Sequence, residues 1–326
     1  MRHKKLIVLF EGPDMTGKTT VLNDVYESLN YVKSEITGTV NSVNIANKFK
    51  FPVYDGIFGN NILNHLKTFK LSDDRLNNIE SIVNFSNWQM ANKITSFPKF
   101  ISKIAERDII LVDRFTLSQI VYDKAWLGVL GDSIDLEEIE EKTELRRLFY
   151  NNYTITNDTF KEIIKENKDC TYKIICFIFD KSECISTLSN NKCPSGERRI
   201  DNYDTNDKYK EEVSKEFKNL FKGEILNYIP AENIYNINYD LIYMDLIISQ
   251  DFSFTFGIDK TDSAFKYVND TTKFLEIIKE KLSDKEFLKE NADTIDLLRN
   301  GSRTKVKKEI IDIISQQFKT FDGWIE

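Results

Sequence analysis

The sequence predicts an α/β fold, a five-stranded parallel sheet with helices on both faces, and three observations predict it. Five short apolar runs rich in β-branched and aromatic residues are spread through residues 1–240. Helical periodicity fills most of the intervals between them, and the first run ends in a glycine-punctuated turn that opens directly into a helix. Strands that alternate with helices pair in parallel, because each crossover helix covers a sheet face on its way to the next strand.

The first run, KLIVLFE, predicts a strand over 5–11. The turn that follows, GPDMTGKT, sets four residues between Gly12 and Gly17-Lys18-Thr19, which is the spacing of a phosphate-binding loop. Apolar residues at Val21, Leu22, Val25 and Leu29 then recur at helical spacing. In such a strand-turn-helix, glycines permit the tight backbone path and the helix N-terminus adds partial positive charge. The lysine reaches the outer phosphates of a nucleotide, and the threonine hydroxyl can ligate Mg²⁺.

Further strands are expected at roughly 48–53 (KFKFPV), 108–113 (DIILVD), 172–179 (YKIICFIF) and 233–238 (NIYNIN). Between them, 77–106 reads as one long helix, or two broken near Pro98, and 205–227 as another. Ligands of an open parallel sheet bind at the carboxyl ends of its strands, where the phosphate loop already lies. Asp113-Arg114 stands where the third run stops, so both charges emerge at that same edge. Arg can grip a phosphate through two parallel hydrogen bonds and Asp can orient a metal's waters; a structural ion pair at a strand end is the alternative. Two segments look additional: 124–170, with its acidic run DLEEIEEKTE, and the part beyond 240. The latter has the alternating FSFTF at 252–256, then helical spacing at Phe274, Leu275, Ile278 and Leu282 and at Ile310, Ile311, Ile314 and Phe318.

Composition excludes several classes. A net charge of −7 with interspersed signs leaves no basic field, so nucleic acid would need a local patch, for which RTKVKK at 303–308 is the one candidate. The apolar runs are too short to cross a bilayer, and Glu11 interrupts the first before a signal-peptide core is complete. The expectation is an intracellular, cytoplasmic protein without a membrane partner. With two histidines and four clustered cysteines lacking any C-x-x-C, histidine catalysis and zinc are poor fits, and the thiols read as reduced.

Five stretches, FEGPDMTGKTT, FKFPVYDG, VNFSNWQMANK, VDRFTLSQIVYD and ERRIDNYDTNDKYKEEVSKEF, follow one another in the order and approximate spacing of thymidylate kinases, and each resembles a motif of that family. The resemblance covers about residues 4–240. It implies a P-loop kinase domain over 1–240, with 124–170 as an insertion and 192–204 as a lid, followed by an extension over 241–326. It also implies transfer of the ATP γ-phosphate to a deoxypyrimidine monophosphate, dTMP first of all, with Mg²⁺ as cofactor and a homodimeric state. By the same resemblance, Gly12, Asp14, Thr16, Gly17, Lys18, Thr19 and Thr20 form the ATP loop, with Asp14 also facing the acceptor's 3′-hydroxyl. Thr19 and Asp113 support the metal, and Arg114 holds the acceptor phosphate. Phe85 stacks on the base, although by itself it reads equally as a helix core residue. Phe51, Tyr54, Gln89, Ser118, Tyr122 and Tyr203 complete the acceptor site.

Two departures from that pattern bear on specificity. Tyr54 stands where an arginine often follows F-P, and Gln89, or Asn87 in a shifted alignment, stands where an arginine faces the base. Met15 occupies the loop position that carries arginine in some members, so Arg198 or Arg199 of GERRIDNYD is expected to supply that charge from the lid. Two other functions fit the same residues. One is a kinase of a modified pyrimidine nucleotide such as 5-hydroxymethyl-dUMP, free or within DNA, the only case in which nucleic acid is a partner. The other is a nucleotide-binding regulator without productive transfer.

Overall fold

The computed structural model describes residues 3–13, 16–33, 40–53, 79–130, 139–180, 207–220, 229–249, 255–256 and 271–319. The central strand β1 (His3–Glu11) runs through the phosphate loop into α1 (Lys18–Asn30), then into two short strands, β2 (Tyr31–Lys33) and β3 (Val40–Ser42). Next come β4 (Ala46–Lys50), α2 (Ile79–Glu106), β5 (Ile109–Asp113), α3 (Thr116–Leu130), α4 (Ile139–Glu166) and β6 (Cys170–Phe179). After α5 (Asp207–Asn219), a one-turn helix at Ala231–Asn233 leads into β7 (Ile234–Ile237). The chain continues with α6 (Tyr239–Ser249), α7 (Thr271–Ser283), α8 (Lys285–Glu290) and α9 (Ala292–Lys319).

All five expected strands form one sheet, ordered β4-β5-β1-β6-β7 and paired in parallel throughout. The register sets Phe10 beside Asp113 on one neighbour and Phe177 on the other, so β1 and β5 end together. Successive side chains of a strand point to opposite faces. Ile7 and Leu9 accordingly pack under α2, α3, α4 and α5, while Leu6, Val8 and Phe10 pack under α1, α6 and the C-terminal helices. On the first face the rings of Phe49, Phe51, Phe97, Phe100, Phe115 and Phe160 form a continuous cluster.

Several expectations shift. The second strand occupies 46–50 rather than 48–53, and stops before Pro52, which has no N–H to give a ladder. The α2 helix is continuous through Pro98. The α5 helix is confirmed over 207–219, residues 221–228 lying outside the described set. The β2–β3 pair forms a small antiparallel ribbon that was not expected. The 124–170 stretch is not an appendage in packing terms, since Leu145, Phe149, Phe160 and Ile164 of α4 belong to the same core as the sheet.

The C-terminal helices share the other core. Ile278, Leu282, Leu298, Val306, Ile310 and Ile314 are buried together with Leu6, Val8, Val21 and Val25. Polar contacts pin α9 near its middle and at its C-terminal end: Arg303 pairs with Asp24 of α1, and Gln317 accepts from Lys173 of β6 and donates to the Tyr235 hydroxyl at 2.7 Å. Two cations of the RTKVKK run are therefore engaged in ion pairs, Arg303 with Asp24 and Lys305 with Asp245 at 2.9 Å. Of the FSFTF stretch only 255–256 are described, and they lie in a turn with Phe256 buried against Phe287.

Candidate functional site

Both glycines of the loop are required by its path. Gly12 has φ 138° and Gly17 φ 78°, and a Cβ at Gly12 would stand 2.4 Å from the carbonyl oxygen of Phe179 on the neighbouring strand. Gly17 occupies the N-cap of α1, where no side chain accepts from the first-turn N–H groups, so those donors face whatever anion the loop receives. Lys18 is buried and donates to the Pro13 carbonyl and, at 3.4 Å, to the Thr16 hydroxyl, which itself donates to Pro13 at 3.0 Å. The ammonium thus spans the loop it serves. Thr20 is exposed on α1, and Asp14 lies outside the described residues.

Across the strand pair, the Thr19 hydroxyl donates to Asp113 Oδ2 at 2.7 Å, and Lys50 at the end of β4 approaches the same oxygen at 3.3 Å. The other carboxylate oxygen, Oδ1, is buried without a hydrogen-bond partner. An orphaned carboxylate oxygen beside a hydroxyl is an all-oxygen donor set of the kind a hard divalent cation takes, so these residues fit Mg²⁺. Among the described residues no cluster of three or more His, Cys, Asp or Glu that could hold a metal ion occurs.

Arg114 follows in the left-handed region at φ 67°. For a residue with a side chain this costs of order 1–3 kcal/mol and persists only where the surroundings enforce it. Its N–H donates to the Phe10 carbonyl at 3.0 Å, and its guanidinium donates to the Tyr122 hydroxyl at 2.9 Å and to Ser118 Oγ at 3.5 Å, while lying 5.0 Å from the Tyr122 ring centroid. Glu11, fully buried at the end of β1, accepts from the Phe115 N–H at 2.7 Å and from the Ser118 hydroxyl. Burial raises the Glu11 pKa, an effect opposed by the Ser118 hydrogen bond, by Arg114 and by the Phe115 N–H.

A second polar group fills the junction of α2, α3 and α4. Ser86 donates to Asp123 at 2.6 Å, and Asn152 donates to Ser86 at 3.1 Å and to Asn87 at 2.9 Å. Burial pushes the Asp123 carboxyl up to about 7 and the Lys93 ammonium down to about 8, each partly held back by the other's charge. Asp123 Oδ1 and both ends of the Gln119 amide are buried without hydrogen-bond partners.

The structure therefore brings Lys18, Thr19, Asp113, Arg114, Ser118 and Tyr122 to one edge of the sheet. Gln89 is buried on α2, one turn from Lys93. Phe85 is on the same helix, its side chain outside the described set. Phe51 is not at a cleft: it is fully buried in the aromatic core, held there by Phe49, Phe100 and Phe115. Tyr54, Arg198, Arg199 and Tyr203 lie outside the described residues, as does the 192–204 lid. Sequence reasoning missed Glu11, Lys50, Lys93 and Asp123. A carboxylate closing an otherwise apolar strand was the one available signal, for Glu11.

A G-x-x-x-x-G-K-T loop after the central strand of a five-stranded parallel sheet, with an Asp-Arg pair closing the adjoining strand, defines an α/β fold with a phosphate-loop motif at its sheet edge. Several solved structures are similar to this chain. Thymidylate kinase from Candida albicans has 17% identity and a TM-score of 0.42, covering 73% of this chain and 84% of its own. Thymidylate kinase from Ehrlichia chaffeensis has 23% identity and a TM-score of 0.28, covering 53% and 91%. Deoxyadenosine kinase from M. mycoides, with bound dATP, has 14% identity and a TM-score of 0.38, covering 73% and 91%. The likeness is one of fold. No protein-family model and no curated protein matches the sequence.

Proposed function

We propose that this chain is a nucleoside monophosphate kinase that transfers the γ-phosphoryl group of ATP to a deoxypyrimidine nucleoside monophosphate, with dTMP to dTDP as the reference reaction. One observation carries the reading: the hydrogen bond from Thr19 to Asp113 joins the phosphate loop to the Asp-Arg pair, so a donor site and an anion-gripping arginine share one edge. A regulator that only bound nucleotide would have no use for the second half of that arrangement.

In this reading the loop amides and Lys18 hold the β- and γ-phosphates of ATP, and Arg114 holds the acceptor's phosphate in line with them. Thr19 and Asp113 would hold Mg²⁺, which neutralises phosphate charge when bound. Little covalent work falls to the protein, because positioning and charge stabilisation supply most of phosphoryl-transfer catalysis. Arg198 or Arg199 would close over the transferring group, since Met15 leaves the loop without an arginine of its own. In this reading the site belongs to residues 1–240, and the described helices beyond 240 support it by completing the core beneath α1.

A modified pyrimidine acceptor is the second reading, favoured by Gln89 in place of a base-facing arginine and by the polar junction of Ser86, Lys93 and Asp123 on the same two helices. A polymer acceptor is less supported, because Arg303 and Lys305 are already paired with carboxylates. The test is ATP consumption against a panel of deoxy- and ribonucleoside monophosphates, with products identified by mass and Lys18→Ala as control. Conversion of a deoxypyrimidine monophosphate by wild type alone is expected. ATP hydrolysis to ADP and inorganic phosphate, with no acceptor monophosphate converted to its diphosphate, would overturn the reading.

A further inference from the structure

We infer that Glu11 is a positioning residue for Arg114: its buried carboxylate builds the turn that aims the acceptor-binding guanidinium, and couples that turn to the phosphate loop. The inference rests on the proposed role of Arg114 as holder of the acceptor phosphate.

Glu11 is the last residue of β1 and immediately precedes Gly12, the first glycine of the loop. Its two oxygens point the other way, toward the neighbouring strand's exit. Oε1 accepts the Phe115 N–H at 2.7 Å and Oε2 accepts the Ser118 hydroxyl, so one carboxylate receives two donors from the start of α3. Both donors lie just after the residue that needs support. Arg114 lies between β5 and α3 with φ 67°, a conformation that side-chain-bearing residues adopt only under constraint. The Phe10 carbonyl fixes Arg114 from the residue before Glu11, and Glu11 fixes the residue after Arg114. The turn is thereby clamped on both sides by consecutive residues of β1.

The Phe115 N–H requires an acceptor, and the carboxylate also accepts from Ser118 while carrying a negative charge; a glutamine keeps the first contact through its carbonyl but reverses the second, its NH₂ donating to the Ser118 hydroxyl, and loses the charge. The negative charge also lies near the Arg114 guanidinium, whose own contacts to Tyr122 and Ser118 set its direction. Because Ser118 touches both Glu11 and Arg114, displacement of the carboxylate is felt at the guanidinium directly. Lys18, which faces ATP in the proposed reading, donates to Pro13 and Thr16 within the loop.

The experiment compares wild type, Glu11→Gln and Ser118→Ala by steady-state kinetics for both substrates, by melting temperature, and by ¹⁵N-arginine NMR of the Arg114 side chain, assigned with Arg114→Lys. Glu11→Gln is expected to raise the acceptor KM at least tenfold and lower kcat, with the ATP KM unchanged and the Arg114 Nε–H more mobile. An unchanged acceptor KM, or an ATP KM that rises in step with it, overturns the inference. If Glu11→Gln does not fold, Ser118→Ala must show the same split in smaller measure, and its absence overturns the inference equally. If wild type phosphorylates no monophosphate, the proposed function falls instead. The inference is then decided by NMR alone: a rigid Arg114 in wild type and a mobile one in the variant sustains it, and equal mobility overturns it.

Discussion

The hydroxyl of Thr19 and the carboxylate of Asp113 lie 2.7 Å apart across the boundary between the first turn of α1 and the end of β5. Thr19→Val keeps the shape of the residue and removes the only hydroxyl that it offers Asp113. Turnover at limiting Mg²⁺ should fall by at least about 10- to 100-fold, the range for losing even an outer partner of a metal site, and should recover partly as Mg²⁺ is raised. Titration of activity with Mg²⁺ in both proteins checks this. A loss that Mg²⁺ does not relieve would place Thr19 outside the cation's surroundings.

Two glycines with equally close contacts should respond differently to alanine. At Gly12 the new methyl meets the Phe179 carbonyl oxygen, which the sheet holds in place, and φ is 138°. At Gly128 it meets, at the same 2.4 Å, the carboxylate end of Glu212, a side chain that can swing away. Gly12→Ala is expected to cost at least about 1–3 kcal/mol and to abolish ATP binding, while Gly128→Ala stays within about 1 kcal/mol of wild type. Urea unfolding and ATP calorimetry on both variants decide the matter.

The buried pair of α2 and α3 gives stability an unusual pH profile. The Asp123 pKa is raised from 3.8 to about 7, so the folded state binds that proton more tightly, and its contribution is full below 3.8 and lost as pH rises to about 7. The Lys93 pKa is lowered from 10.5 to about 8; its contribution is lost as pH falls through that window and present above 10.5. The two leave a minimum between about pH 7 and 8. Asp123→Asn should flatten the acid limb, so that the variant gains on wild type from pH 4 to pH 7 in urea midpoint. A constant offset between the two curves would refute the assignment.

Base preference should respond to Gln89. An amide can present a donor or an acceptor to a pyrimidine edge, whereas arginine presents donors alone. Gln89→Leu is expected to change the ratio of specificity constants for dTMP, dUMP, 5-hydroxymethyl-dUMP and dCMP by about tenfold, the effect of about 1–3 kcal/mol for a buried polar group left unpaired. Identical ratios would move attention to Asn87, which in the structure already accepts from Asn152.

What was legible in the chain was whatever is written in neighbouring residues. LIVLF and IICFIF are continuous apolar runs because their strands are buried on both faces, and the glycines at 12 and 17 mark a backbone path that other residues resist. Lys18, Thr19, Asp113 and Arg114 could be placed together because strand ends in a parallel sheet share an edge. Pairings between distant segments left no such trace. Lys93 and Asp123 look like ordinary surface charges on two helical patterns, and only the packing of α2 on α3 turns them inward. Phe51 shows the opposite case: its motif suggests a ligand contact, while in the structure its buried ring lies among four aromatic neighbours that no local pattern announces. The apolar stripe of Ile310 and Ile314 announced a helix without naming its partner.

The Arg303–Asp24 pair joins positions 279 residues apart. During synthesis α1 emerges almost first, with Val21 and Val25 directed at a surface that α9 completes almost last. The nucleotide loop and its helix are therefore made early and covered late, and contacts of such long sequence separation slow folding and prolong the exposure of apolar surface. Emergence of α9, more than emergence of the loop, sets the moment at which the core beneath the nucleotide helix closes, and a chain stopped before Ala292 would lack both the Arg303–Asp24 pair and the apolar cover that α9 gives Val21 and Val25.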